Sequence, residues 1–519
     1  MRSIKVYNKA ILFSIIIAIG IYIVSRAILV PITHDEAFTI LKHVPNSYSV
    51  ILGLRIAPVE EFANNHSLNT ASIKFLISYF PMSELVVRFP NILAGFVFII
   101  IFLTILIRLE IKDWTLSVLF LYGISSPLLL EFFALARGYG LSISLFFAGY
   151  FFWLTIDRDQ SSRFFLRLSV AGIFFSLALI ANLSIAFAIL GVALTEIVQF
   201  IVELNKNKNG TEGFNRIRIV KLLTRYAISI FPALFLLNKV YGKTLPIAKQ
   251  QNLFYVQNRE GYLTGTLPSI ARDWTPILTK ENQILYSKIC LFIFLPAVLF
   301  FIYRLLIRKD LQQYKYQKDL LVAGTFFFVS VSPSVMDIFF HTGFPYERTA
   351  LYILPIYALF LSVLIRSLGE SENLLIRFYR YLLIFLMTLT IALSLFTFNV
   401  RKTNYWSYDS TSRVQYLALK KDVNHLPQIK EKRISVGVDW LLEPSLNYYF
   451  IQEKDNKFLS VNRESPLNPK FDYVFLIDGF EGRVQDKETF YLQSWRELEY
   501  WPESGVRLIR NERAQNSKN

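Results

Sequence analysis

Two adjacent acidic residues lie where the first long apolar segment of the sequence ends. The segment runs from Ala10 to Val30, and His34-Asp35-Glu36 follows it. A carboxylate held at that position can take a proton as a general base or anchor a substrate hydroxyl. The alternative is that both acids are simply solvated at a helix exit. We take Asp35 and Glu36 as candidate catalytic residues and His34 as a candidate substrate-binding residue.

A second polar cluster follows in the same connection, where Asn64-Asn65-His66 interrupts an otherwise mixed stretch. Amide and imidazole groups suit a polyhydroxyl ligand, because sugars present many hydrogen-bond donors and acceptors. Asparagine also caps helices, so a capped helix start is the alternative. Asn65 and His66 are therefore candidate substrate-binding residues.

Three arginines stand near the ends of later apolar segments: Arg88, Arg137 and Arg348. One such arginine can extend its charged head toward water. Three on the predicted outer side favour a phosphate ligand, which guanidinium binds through its planar fork. Anchoring to lipid headgroups is the alternative. Glu131 is a further acid at similar depth, either functional or paired with Arg137.

These residues must be positioned by long apolar segments that have the length needed to cross a bilayer. The chain has 519 residues, of which 53% are hydrophobic and 18% charged, against about 45–50% and about 25% in soluble domains. We split the run 166–203 at Asn182, because it is too long for one span of about 20 residues. The predicted fold is mainly α, a polytopic membrane protein of about eleven transmembrane helices, at about residues 10–30, 86–107, 114–131, 139–156, 166–182, 183–203, 222–241, 285–303, 319–338, 349–365 and 378–399.

Basic residues are concentrated in alternate connections between these segments. Cytoplasmic loops of membrane proteins are enriched in Lys and Arg, which predicts a cytoplasmic N-terminus and a tail, 400–519, outside the cell membrane. The first segment exceeds the 7–15 residues of a signal-peptide core and no cleavage site follows it, so we expect it to be retained. The two long outer connections, 31–85 and 242–284, favour chemistry on the outer face.

Residues 400–519 differ from the rest in composition and predict a small extracytoplasmic α/β domain, separate from the transmembrane domain 1–399. Helical spacing covers Arg413–His425, and short β-branched or aromatic runs at Ile434–Val438 and Tyr473–Ile477 predict buried strands. The stretch Leu446–Ile451 fits either state.

The charge and cysteine content exclude several classes of function. The net charge is +16, of which the tail contributes +2 (19 Lys and Arg against 17 Asp and Glu), leaving +14 for the membrane half. Without a basic module interleaved with aromatic residues, we interpret this charge as contact with membrane lipids and expect no nucleic-acid partner. A single cysteine, Cys290, excludes an internal disulfide framework.

Taken in order, these motifs resemble the membrane glycosyltransferases of the GT-C fold, especially bacterial relatives of dolichyl-phosphate-mannose protein mannosyltransferases and of the lipid A aminoarabinose transferase. The resemblance covers about residues 5–400. The matching motifs are Asp35-Glu36, Asn65-His66, Ser83-Glu84-Leu85-Val86-Val87-Arg88-Phe89-Pro90, Ala136-Arg137-Gly138-Tyr139, and Glu347-Arg348-Thr349-Ala350-Leu351-Tyr352 with Pro355.

The resemblance implies transfer of a sugar from a polyprenyl-phosphate donor to a lipid, glycan or protein acceptor on the periplasmic or extracellular face, in a bacterial inner membrane. By position it assigns the base or acceptor anchor to Asp35, and it adds Tyr139, Tyr346 and Glu347 to the expected substrate-binding residues. Some relatives bind a divalent metal ion. Only a loose set of Asp35, Glu36 and His66 is available for one here, so the metal stays open.

Two other functions remain open at this stage. A transporter or flippase of a lipid-linked glycan would also span the membrane repeatedly, although inverted repeats and broken helices with central charges are its usual signs. A receptor or assembly factor would use the tail, whose Trp406, Trp440, Trp495 and Trp501 are either sugar-binding or part of a packed core.

Overall fold

The chain is predominantly helical in a computed structural model that describes residues 6–55, 65–156, 161–208, 216–242, 261–275, 278–307, 314–403, 405–425, 433–461, 470–479 and 495–512. The helices are α1 Val6–Leu29, α2 His34–Phe38, α3 Tyr48–Ile51, α4 Ser67–Ile77, α5 Glu84–Arg108, α6 Asp113–Ile124, α7 Pro127–Phe133, α8 Gly138–Leu154, α9 Ser161–Ala181, α10 Ala186–Lys208, α11 Arg216–Tyr241, α12 Leu267–Trp274, α13 Lys280–Ile307, α14 Tyr314–Phe340, α15 Ile353–Gly369, α16 Leu374–Leu395, α17 Ser412–His425 and α18 Glu443–Gln452. Single π-helical turns span Thr39–His43 and Tyr262–Thr266, and 3₁₀ turns span Leu183–Ile185, Glu347–Ala350 and Ser407–Asp409.

Each apolar segment predicted from the sequence coincides with one helix or with two consecutive helices. Within the described ranges, six helices are long and apolar enough to cross a membrane, or up to seven if the bent pair α6 and α7 forms one span. The prediction of a multi-pass membrane protein is therefore confirmed. The count of eleven spans and the orientation of the termini stay predictions.

The bend between α6 and α7, which measures 67°, follows directly from the local sequence. Pro127 has no amide hydrogen and disfavours a helical conformation in the residue before it. Ser126 is accordingly extended, and its hydroxyl accepts a hydrogen bond from Leu129 N to start α7. The break places the turn that follows α7 beside the segment that follows α1, where Ala136 N donates to Glu36 Oε1.

The predicted break at Asn182 is also present, between α9 and α10. Asn182 is extended, with φ −160° and ψ 125°, and its side-chain oxygen accepts from Ser184 N at 2.9 Å. An asparagine in this role satisfies an amide at a helix start that has no partner within the helix. The same turn places Asn182 beside α8, where Ser142 Oγ donates to the Asn182 carbonyl at 3.5 Å.

The tail contains a four-stranded sheet with the order β1-β2-β4-β3, formed by β1 Val436–Val438, β2 Tyr473–Ile477, β3 Trp495–Trp501 and β4 Val506–Asn511. β1 and β2 are parallel, and the other two pairings are antiparallel. The prediction was right for β2 and for α17, whereas Ile434 lies before β1 and forms an isolated bridge with Phe458. The ambiguous stretch Leu446–Ile451 is part of α18.

The tail shares an apolar core with the segment that follows α1. Ile32, Ile40 and Val87 pack in one cluster with Tyr416 and Tyr449 of the tail. Because buried aromatic side chains remove large apolar areas from water, this shared core fixes the segment that follows α1 against the tail. The position of Asp35 therefore depends on both parts of the chain.

Candidate active site

The acidic pair lies on a short helix whose start is fixed by its own side chains. Thr33 caps α2: its hydroxyl accepts from Glu36 N, and the Glu36 carboxylate accepts from Thr33 N at 3.0 Å. Adjacent residues on a helix point in different directions. The Asp35 side chain is consequently 23% exposed, while the Glu36 side chain points into the protein and is 0% exposed.

Asp35, Arg137 and Arg348 form one ionic group, which we call the Asp35 cluster. Asp35 Oδ2 lies 3.1 Å from Arg137 Nη2 and 3.2 Å from Arg348 Nη1. Arg137 also donates through Nη1 to the Asp35 carbonyl and to Thr39 Oγ1, each at 3.3 Å. One carboxylate thus holds together two arginines that come from the start of α8 and from the turn before α15.

The two arginines of the cluster retain hydrogen-bonding capacity. Arg137 Nε is buried and has no hydrogen-bond partner among the described residues. The side chain of Arg348 is 29% exposed, and that of Asp35 is 23% exposed. A guanidinium group has five N–H donors, so an anionic ligand that enters here finds donors and two positive charges.

Aromatic rings of the tail hold Arg348 in place. The Arg348 guanidinium carbon lies 5.9 Å from the centre of the Tyr405 ring and 5.6 Å from that of Trp406. These distances are in the range of cation–π interactions. Trp406 is buried and belongs to the main core, so the tail supplies a fixed platform for this arginine.

The charge of Asp35 is set by opposing effects. Burial raises the pKa of Asp35, but the positive charges of Arg137 and Arg348 outweigh burial and hold that pKa below its ordinary value. Asp35 is therefore ionised at neutral pH. An anion that takes over either guanidinium would remove part of this stabilisation and make Asp35 a stronger base.

Glu36 and Arg88 form a separate pair that is closed to solvent, since both side chains have 0% exposure. Glu36 accepts from Arg88 Nε at 2.8 Å and from Arg88 Nη2 at 2.7 Å. The remaining Arg88 donors reach the carbonyls of Ala27 (3.0 Å), Val30 (2.6 Å) and Pro31 (2.9 Å). All five donors of this arginine are used within the protein, so Arg88 has none left for a ligand.

His66 packs against the start of α8. Its ring contacts Tyr139, with ring centres 5.2 Å apart, and its Nε2 is buried without a hydrogen-bond partner in the described part of the chain. Burial, followed by the charges of Arg137 and Arg348, lowers the pKa of His66 well below its ordinary value. His66 is therefore neutral near pH 7.

Gly138 permits this close packing. A Cβ atom at position 138 would lie 2.1 Å from the Ala181 carbonyl and 2.7 Å from His66 Cβ, distances that no side chain tolerates. The neighbouring Asn65 is used for local structure, because it donates to the Ile51 carbonyl at 3.1 Å and accepts from Thr70 at 2.7 Å. Within the predicted polar cluster, Asn65 thus serves local structure and His66 packs against Tyr139.

A narrow crevice, with room for little more than one water molecule, opens beside Arg348 of the Asp35 cluster. Its walls are formed by Tyr139, Ser142, Ile143, Asn182, Ser184, Ile185, Arg348, Leu351 and Tyr352. Tyr139 and Arg348 were expected at a binding site from the sequence, whereas Asn182 marked only the division between two apolar segments. A single amide between two apolar segments was the sequence feature that could have indicated Asn182. Tyr352 appeared only as the last residue of the motif that contains Arg348.

The structure places three other expected site residues away from the crevice. His34 faces the tail: its amide donates to Asp409 Oδ2 at 2.6 Å, and its Nδ1 lies 2.7 Å from the Leu441 carbonyl. Glu347 forms an ion pair with Arg272 of α12. Arg272 in turn stacks on the Tyr346 ring, at 5.8 Å, so Tyr346 and Glu347 secure the turn that carries Arg348.

Glu131 is paired with Arg26 at 3.0 Å, and both side chains are buried. Arg137, the partner suggested by the sequence, pairs with Asp35 instead. Arg26 also donates to the carbonyls of Asn399 and Lys402. This pair joins the end of α1 to the start of the tail.

No group of three or more His, Cys, Asp or Glu side chains in the described residues is arranged to hold a metal ion. Glu36 is fully engaged by Arg88 and His66 faces Tyr139, so Asp35, Glu36 and His66 do not converge on one point. The described residues therefore provide guanidinium and hydroxyl groups, rather than a set of metal ligands, around the crevice.

Comparison with known proteins gives a likeness in fold only. No protein-family model matches the chain, and no curated protein matches it. ArnT from Cupriavidus metallidurans is similar in its apo state (TM-score 0.49, 9% identity, 97% of this chain and 98% of that chain) and bound to undecaprenyl phosphate (TM-score 0.49, 10% identity, 97% of both chains). The Archaeoglobus fulgidus oligosaccharyltransferase in complex with Zn and sulfate has a TM-score of 0.40 at 12% identity, over 96% of this chain and 73% of that chain.

Proposed function

We propose that this protein is an integral membrane glycosyltransferase that moves a sugar from a polyprenyl-phosphate donor to an acceptor hydroxyl or amine. The Asp35 cluster carries this proposal: one ionised, partly exposed carboxylate lies 3.1–3.2 Å from two arginines with unused donors. A reaction that releases a lipid phosphate needs both a base and a matching positive charge, and the cluster supplies them side by side.

The two arginines act on the donor. The phosphodiester oxygens of the donor bind Arg137 and Arg348, which stabilise the negative charge that grows on the leaving phosphate. Arg88 takes no part in this contact, because its five donors are engaged by Glu36 and by backbone carbonyls. We assign Glu36 and Arg88 the role of positioning α2 rather than contacting the reactants.

Asp35 acts on the acceptor. The acceptor oxygen or nitrogen attacks the anomeric carbon and forms the new glycosidic bond, while its proton passes to Asp35 Oδ. The bond between the anomeric carbon and the phosphate oxygen breaks, and its electron pair leaves with the polyprenyl phosphate. Attack in line with the leaving group inverts the anomeric configuration. Binding of the donor phosphate to the guanidinium groups weakens their hold on Asp35, which raises its basicity when the donor is in place.

The membrane contributes orientation, because donor and enzyme share one two-dimensional phase and the reacting groups meet in a restricted geometry. Arg137 and Arg348 lie at the starts of α8 and α15, at one end of the bundle. We assign this end to the outer face of the membrane, in agreement with the distribution of basic residues along the sequence.

The proposal is tested by the lipid that the purified protein retains. Mass analysis of wild type should find a polyprenyl-phosphate species, and the double variant Arg137→Gln/Arg348→Gln should lose it. Arg507→Gln removes an arginine that pairs with Asp478 on the tail surface and serves as the matched control, which should keep the lipid. Equal retention of lipid by the double variant and by wild type contradicts the proposed donor site.

A further inference from the structure

The exposed face of the tail helix α17 changes in character along its length. It begins with Val414 and Leu417, which are 49% and 52% exposed, and continues with the polar residues Lys421, Asn424 and His425. Residues three and four positions apart share one side of a helix, so this face is apolar near the start of α17 and polar near its end. The opposite face packs into the core of the tail.

Arg413 fixes the start of α17 against the ends of two candidate membrane spans. Its Nη2 donates to the Ile28 carbonyl at 3.3 Å, and its Nε and Nη2 donate to Glu84 Oε1 at 3.1 Å and 2.5 Å. Ile28 lies in the last turn of α1, and Glu84 is the first residue of α5. Leu417 follows Arg413 by four residues, so it lies on the side of α17 whose arginine reaches these two helices.

Both of these helices carry uncovered apolar stripes that end at the same place. The exposed side chains are Ile17, Ile21 and Ile28 of α1 and Leu85, Phe89, Leu93, Val97 and Ile100 of α5. Both helices are long and apolar enough to cross a membrane, and a surface of this kind is rarely left to water. The stripes therefore face lipid, and the apolar part of α17 continues them beyond the ends of the spans.

The spacing of residues on α17 matches the thickness of a bilayer interface. Along the helix axis, Lys421 is about 6 Å from Leu417. The headgroup layer on each side of the hydrocarbon core is roughly 5–8 Å thick. When Leu417 touches the edge of the hydrocarbon, Lys421 is thus within reach of the headgroup phosphates, which attract its ammonium group.

We propose that the first two turns of α17 lie in the interfacial layer of the bilayer, with Val414 and Leu417 in contact with lipid and Lys421 beside the headgroup phosphates. The tail is then a membrane-contacting domain and not only a domain connected to the last span. The proposal requires that α1 and α5 cross the membrane, and it does not depend on the transferase activity.

This lipid contact bears on the candidate active site, because the tail supports that site. Trp406 of the tail contacts Arg348. Asp409 of the tail accepts a hydrogen bond from the amide of His34, the residue before Asp35. Lipid contact by α17 therefore holds the Asp35 cluster at a constant distance from the bilayer surface.

The test measures the depth of single spin labels on the full-length protein in lipid nanodiscs. Cys290→Ser removes the one cysteine of the sequence, and Leu417→Cys or Leu459→Cys then adds one labelling site. Leu459 is the matched control, because it is also an exposed apolar side chain of the tail. Its segment adjoins the polar end of α17, where Lys457 donates to Asn424 at 2.8 Å.

Two relaxation reagents report the surroundings of each label: oxygen, which concentrates in lipid, and a nickel chelate, which stays in water. The label at Leu417→Cys should be accessible to oxygen and protected from nickel, within about 5–10 Å of the boundary between headgroups and acyl chains. The label at Leu459→Cys should be accessible to nickel. Val414→Cys repeats the measurement at an independent exposed position and should give the result expected for Leu417→Cys.

The same measurement at Lys421→Cys and Asn424→Cys tests the change from lipid to water along α17. The ratio of oxygen to nickel accessibility should fall in the order 417, 421, 424. A ratio that does not fall toward position 424 would contradict the proposed placement of the helix.

Two further results would overturn the proposal. The first is a label at Leu417→Cys that is as accessible to nickel as the label at Leu459→Cys, which would place the apolar face of α17 in water. The second is a label at Leu417→Cys that is protected from both reagents, which would mean that protein covers this face. Magnetic broadening between labels would then identify the covering protein as a second copy of the chain.

Discussion

Replacing Arg88 by methionine should destabilise the protein strongly, because Glu36 would stay buried without its counter-charge. Removing one partner of a buried ion pair typically costs about 3–5 kcal/mol. Both side chains here have 0% exposure, and the carbonyls of Ala27 in α1 and of Val30 and Pro31 after it would also lose their donor. We therefore expect a loss of about 3–5 kcal/mol in the free energy of unfolding.

Graded variants separate charge from hydrogen bonding. Arg88→Lys keeps the charge but offers three donors instead of five, so two hydrogen bonds of about 0.5–1.5 kcal/mol each are lost, about 1–3 kcal/mol in total. The double variant Glu36→Gln/Arg88→Met buries no charge and should be more stable than Arg88→Met alone.

Reversible unfolding in detergent micelles measures these differences. Arg272→Met is the matched control, because it breaks a partly exposed pair with Glu347 and should cost less than about 1 kcal/mol. A loss of less than about 1 kcal/mol in Arg88→Met, or a double variant no more stable than that single variant, would show that Arg88 does not compensate a buried Glu36 charge. Transfer activity in a folded double variant would further show that Glu36 positions α2 and does not react.

Three further outcomes follow from the site. Arg348→Gln removes a charge that lowers the pKa of Asp35, so the acid limb of the pH–rate profile should move to higher pH; an unchanged limb would mean that Asp35 is not the titrating base. Trp406→Ala removes a ring that contacts Arg348, a cation–π contact worth about 0.5–2 kcal/mol. It should raise KM for the donor roughly two- to thirtyfold, and an unchanged KM would show that the Trp406 ring does not position Arg348. Burial raises the pKa of Asp409 well above its ordinary value. The contribution of Asp409 to stability is therefore complete below its unfolded-state pKa and is lost as the pH rises through its folded-state pKa. Asp409→Asn should flatten the decline of the melting temperature with rising pH, and a decline as steep as in wild type would exclude Asp409 as its source.

The helices could be predicted because each is a long apolar run, and length and hydropathy are local properties of the sequence. The breaks at Pro127 and Asn182 have local causes as well, and the latter was expected. The strands β3 and β4 were not predicted. β3 reads Trp495–Trp501 with charged residues at three of its positions, so it lacks the apolar run that marks a buried strand.

The candidate site was only partly predictable, for a geometric reason. Sequence shows that Asp35, Arg137 and Arg348 are available, and the structure brings them together. The sequence does not show that Glu36 and Arg88, which carry the same chemical groups, form a buried ion pair with each other. Adjacent positions on α2 differ in direction, and direction depends on tertiary packing.

The role of Asp35 is tested most directly by Asp35→Asn in a cell that lacks the native gene. We expect this variant to fold, to insert in the membrane and to retain polyprenyl phosphate at least as well as wild type. The reason is that the side chain that competes with the phosphate for Arg137 and Arg348 has lost its charge. It also predicts that the surface glycan, lipid or protein modified by wild type stays unmodified. Modification at the wild-type level by Asp35→Asn would contradict the central claim that this carboxylate takes the proton of the acceptor.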